Sequence, residues 1–100
     1  MPLALAVDRQ RIDEFCRKWR VKELSIFGSA LRDDFRPDSD VDVLVELEDD
    51  APSDAFGWVD MIDELEAILG RKVDLVDKAG LRNPFRRHAI LHTREIIHAP

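Results

Sequence analysis

Asp38-Ser39-Asp40-Val41-Asp42 runs without a break into Val43-Leu44-Val45-Glu46-Leu47, so aspartates stand at the mouth of an apolar strand. Holding two anions at the edge of a core is costly unless a cation compensates them, and few basic residues stand beside them. Successive side chains of a strand point to opposite faces, so Asp40 and Asp42 share one face while Val41, Val43 and Val45 share the other. The rise per residue sets the two carboxylates about 7 Å apart. That spacing can share one or two magnesium ions, which prefer oxygen ligands and combine one or two carboxylates with water and substrate phosphate. An EF-hand loop is excluded, because Val43 stands where its glycine is required and Asp49 where its glutamate is.

A second element of the same chemistry precedes the aspartates. Gly28-Ser29 follows a short apolar run and opens a predicted short helix. Glycine lets a backbone approach a phosphate closely, and a helix start offers unpaired N–H groups and a positive dipole end. Ser29 adds a hydroxyl, and Arg32, one turn on, can neutralise charge. Asp74, the acid inside a later apolar run, is the candidate third carboxylate, as metal ligand or as base for an attacking hydroxyl. With Asp77 only three residues on, a capped or surface acid is the alternative reading of Asp74.

The elements predicted around these residues alternate helix and strand. Asp8 caps a helix over 8–20 whose stripe is Ile12, Phe15, Cys16 and Trp19, with Val7 and Ile12 as a hydrophobic staple. Val21 to Phe27 is a strand, Ser29 to Phe35 a short helix, and Arg36-Pro37 breaks it before a strand over Asp40 to Leu47. After an acidic, proline-containing loop, Ser53 or Asp54 caps a helix with Trp58, Ile62, Leu65 and Leu69 inward, widened by Met61 and Ile68 and ended by Gly70. Lys72 to Val76 is a third strand. Asn83-Pro84 starts a last helix over about 84–92, expected to turn Phe85, Ala89 and Ile90 or Leu91 to the core. Glu95 to His98 is either a closing edge strand or a packed tail. The pattern specifies one α/β (α+β) domain over residues 1–100 with a small sheet of three or four strands, and leaves open whether that sheet is parallel or mixed.

One hundred residues leave no room for a second substrate-binding domain. The net charge of −6 argues against a sequence-independent nucleic-acid binder, which needs a basic face. No apolar run is long enough for a membrane span, the N-terminal residues lack the positive region of a signal peptide, and the single cysteine, Cys16, has no disulfide partner within the chain. Together these point to a cytosolic protein. His88 and His92, at a spacing that can bind zinc but without a further ligand, are read as a surface pair, and Arg82, Arg86 and Arg87 as a solvated basic cluster.

Gly28-Ser29, ten intervening residues and Asp40-Val41-Asp42 resemble the signature of the DNA polymerase beta-like nucleotidyltransferases. With Arg32, Pro37 and Asp38-Ser39 the chain is similar to the minimal nucleotidyltransferase branch, whose small members act as antitoxins paired with HEPN-type toxins. The resemblance implies the polymerase beta-like fold with a mixed sheet. It implies transfer of AMP from ATP, with two Mg2+ ions, onto a tyrosine hydroxyl of a cognate HEPN-type toxin. It assigns nucleotide binding to Gly28, Ser29 and Arg32, and catalysis and metal binding to Asp40, Asp42 and Asp74. The chain departs from many relatives at Ala30, where they carry a basic residue, and at Asp33, where they carry glycine. Two alternatives follow: an antitoxin that acts by binding alone, and a catalytic subunit for a small aminoglycoside-like molecule whose acceptor pocket another chain supplies.

Overall fold

The computed structural model describes residues 7–28, 40–49, 51 and 55–99. The predicted short helix over Ser29 to Phe35, the break before Asp40 and the caps proposed at Ser53 or Asp54 lie outside them. The described elements are α1 (Arg9–Trp19), β1 (Val21–Phe27), β2 (Val41–Leu47), α2 (Ala55–Leu69), β3 (Val73–Asp77), a 3-10 turn at Lys78–Gly80, α3 (Pro84–Thr93) and β4 (Glu95–His98).

Helix α1 begins as its sequence dictates. The Asp8 carboxylate accepts from the Arg11 N–H, and Val7 packs on the cluster that contains Ile12. Arg20 ends it in the left-handed region at φ 57°. Gly70 closes α2 at φ +68°, donating to the Glu66 carbonyl at 2.8 Å. Asn83 accepts from the N–H groups of Phe85 and Arg86, with Pro84 in the first turn, so α3 starts where the sequence signals it.

The strands form one mixed sheet in the order β3-β2-β1-β4. β1 is antiparallel to both β2 and β4, whereas β2 and β3 are parallel. Glu95–His98 is therefore a true edge strand, and the sheet has four strands. One face carries Leu24, Ile26, Val41, Val43, Val45, Val73, Leu75 and Ile97 against Ile12, Phe15 and Cys16 of α1 and Met61, Leu65 and Leu69 of α2. Glu64 joins the two helices, accepting from Lys18 Nζ at 2.9 Å and Trp19 Nε1 at 3.2 Å. Burial and the neighbouring Asp13 carboxylate push the Cys16 thiol up to about 12, so it stays protonated and serves as core.

The opposite face holds Phe27 and Leu44 against Leu81 and Ile90. Two of the inward residues expected on α3 are outside instead: Phe85 is 86% exposed and Ala89 is exposed. Among the described residues Ile90 is the buried side chain of helix α3, with Leu91 packed beside it, and at 100° per residue Phe85 and Ala89 cannot share the face of Ile90. Further along this face Glu23 and Glu46 lie in register, and Arg94 and Lys78 pair with them respectively.

Ser25 sits in the same strand row as Leu44, fully buried, and its hydroxyl has no partner among the described residues. An unsatisfied buried hydroxyl destabilises by about 1–3 kcal/mol. Ser25→Ala is therefore expected to raise the free energy of unfolding by about 1 kcal/mol in urea titrations. A comparable loss would show that the hydroxyl is bonded.

Candidate active site

The site lies where β1 ends and β2 and β3 begin. Val43 and Val45 enter the helix-covered core, so alternation sends Asp42 to the other face with Leu44. By the same rule Asp74 departs from Val73 and Leu75 and joins that face. Register does the rest: in the parallel β2–β3 pair Asp42 stands directly beside Asp74, and in the antiparallel β1–β2 pair Phe27 stands on its other side. Asp42 is half-buried and Asp74 exposed. The Val41 N–H donates to the Lys72 carbonyl at 2.8 Å, which pins the start of β2 to the residue before β3. Asp40 lies one residue outside β2, exposed, two residues from Asp42 along the chain.

Gly28 completes the arrangement. It turns the chain out of β1 at φ +74°. A Cβ there would lie 3.2 Å from the Asp42 carboxyl carbon and well inside contact distance of Oδ2. The space left by the missing side chain is thus taken by the Asp42 carboxylate. Ser29 and Arg32, the other candidate nucleotide-binding residues, lie outside the described residues, as do Ala30 and Asp33.

Asp77 stands in register with Val45 at the far end of β3, and its carboxylate accepts from the Ala79 N–H at 2.9 Å. It caps the 3-10 turn. Among the described residues no three His, Cys, Asp or Glu side chains close into a cage for a metal ion. What the strands present instead is an open row, Asp42 beside Asp74 with Asp40 preceding. An all-oxygen set of this kind suits magnesium, which takes few protein carboxylates and completes its shell with water and phosphate. The placement of Phe27 beside Asp42 follows from antiparallel register, which no single strand's sequence encodes.

The chain matches the model of the nucleotidyltransferase domain over residues 9–98. It is 35% identical over 85 residues to the protein adenylyltransferase MntA of Thermococcus cleftensis, covering 85% of this chain and 81% of that protein. Its fold is similar to a chain in the crystal structure of a toxin–antitoxin with AMP-PNP, with a TM-score of 0.73, 19% identity, and coverage of 94% of this chain and 75% of that one. A chain from a complex of tri-AMPylated Shewanella oneidensis HEPN toxin with MNT antitoxin matches at a TM-score of 0.64 and 18% identity, covering 92% and 70%. With its carboxylates in register at the end of a mixed four-stranded sheet, the chain belongs to the nucleotidyltransferase domain family.

Proposed function

We propose that this protein is an antitoxin that transfers AMP from ATP onto a tyrosine hydroxyl of a cognate HEPN-type toxin and thereby neutralises it in the cytosol. The observation that carries the reading is the register of Asp42 with Asp74 beside Gly28. Support comes from the relative named a protein adenylyltransferase and from similar folds in a toxin–antitoxin bound to AMP-PNP and in a complex with an AMPylated toxin.

In the proposed reaction the tyrosine oxygen attacks the α-phosphorus of ATP, its proton passes to a base, and pyrophosphate leaves. Asp40, Asp42 and Asp74 would hold the two Mg2+ ions, whose chemistry is to offset phosphate charge and activate the attacking oxygen. The chain's own part is to set acids on one rigid strand pair, so that little ordering is left for the moment of reaction. Asp74, exposed on an edge strand, would face an acceptor brought by a second protein. Gly28, Ser29 and Arg32 would hold the nucleotide's phosphates. No helix among the described residues is long and apolar enough to cross a membrane.

The test is direct. The chain is incubated with the product of the adjacent open reading frame, ATP labelled in the α-phosphate, and Mg2+. Label is expected on a tyrosine of the partner, located by peptide mass analysis, and chelation of the metal is expected to stop transfer. Stable complex formation without transfer would replace this reading with neutralisation by binding alone.

A further inference from the structure

Helix α3 carries two imidazoles for which the carboxylate site has no use. His88 and His92 stand one turn apart, both exposed, with ring centroids 4.0 Å apart and ring planes inclined by 34°. At 100° per residue they lie on one stripe, and Ile90, the buried anchor of the helix, faces away from it. The sheet and its aspartates therefore lie behind the helix, and the two rings lie in front. Phe85, one turn before His88 and 86% exposed, continues the stripe.

Two ring nitrogens can bind one ion when each reaches about 2.0–2.1 Å from it. Rings one turn apart with centroids this close bring two imidazole donors to one place on the helix surface. The neighbouring cations do not compete for the space. Arg87 is turned inward, donating to the carbonyls of Lys78 and Leu81 at 3.2 and 3.4 Å, and Arg94 is paired with Glu23. Arg86 is set about 160° around the helix from His88.

We propose that His88 and His92 form a bidentate site for a borderline divalent transition metal, Zn2+, Ni2+ or Cu2+, independent of the carboxylate site. Ligand type separates the two: imidazoles select Zn2+, Ni2+ and Cu2+, whereas the all-carboxylate row suits Mg2+. Two protein ligands leave the remaining positions of the ion to water or to a donor from another molecule.

The test uses the full chain without an affinity tag, titrated with Zn2+ and with Ni2+ by calorimetry in millimolar Mg2+, which fills the carboxylate site. One-to-one binding is expected. Loss of an outer-shell partner alone weakens metal sites by about 10–100-fold, so His88→Ala and His92→Ala should each weaken binding by at least about tenfold. The third histidine, His98, is held by Asp13 at 3.1 Å, and His98→Ala should leave the affinity unchanged. In proton NMR spectra Ni2+ should broaden the ring signals of His88 and His92 and spare those of His98. Absence of binding, equal binding by wild type and both variants, or a loss confined to His98→Ala overturns the assignment. All three histidine variants retain AMP transfer if the proposed function holds, so failure of either reading leaves the other standing.

Discussion

Asp42→Asn should leave a folded chain whose AMP-transfer rate falls by about 10³-fold or more. A metal ion contributes several kcal/mol to stabilising charge in such a transition state, and each 1.36 kcal/mol is about tenfold in rate. The asparagine keeps the shape of the side chain and the backbone pairing of β2 between Phe27 and Asp74, while Val41 and Val43 stay buried on the other face. It removes the negative charge a metal ion requires. Melting temperatures with and without Mg2+ separate this loss from misfolding: the ion should stabilise wild type by mass action and leave the variant unmoved. Asp74→Asn should act in the same direction, because its register with Asp42 makes it the second member of the row. Full activity in Asp74→Asn would reduce Asp74 to an exposed acid on an edge strand, and full activity in Asp42→Asn would remove the basis of the functional reading.

Much of this site was legible in the residues because each of its parts has a local signal. Paired aspartates before a branched apolar run announce carboxylates on one face, and the cap residues Asp8, Asn83 and Gly70 place helix ends where the structure has them. Register is different. That β3 lies parallel to β2, and that Asp74 rather than Asp77 comes beside Asp42, depends on packing between segments about thirty residues apart, for which a single strand holds no signal. Ser25 shows the same limit from the other side. Its neighbours Leu24 and Ile26 suggest a strand, yet its complete burial depends on flanking strands β2 and β4, which pair with it from distant parts of the chain. The inward placement expected of Phe85 failed because Ile90 is the residue that α3 buries, and at 100° per residue Phe85 lies well away from it, so hydrophobicity alone could not set the helix's rotation.

Gly28→Ala is expected to slow AMP transfer by about 10²-fold in a chain that still folds. Placing an L side chain in the left-handed region costs about 1–2 kcal/mol, and at φ +74° alanine incurs that cost whatever its surroundings. The new methyl group would also overlap Asp42 Oδ2. The overlapped atom is the end of a side chain and can rotate away, so the protein should still fold, with a loss of about 1–3 kcal/mol in total. Rotation nevertheless carries the carboxylate out of the row it shares with Asp74. Displacement of about 1 Å can cost on the order of 10²-fold in rate. A double-mutant cycle isolates the contact: in an Asp42→Ala background the overlap is gone, so Gly28→Ala should there cost only its backbone part, and the difference between the two backgrounds measures the crowding. Equal costs in both backgrounds would mean that Gly28 serves the turn alone. A smaller cost beside alanine would establish that the glycine ending β1 is kept free of a side chain to make room for the acid on β2.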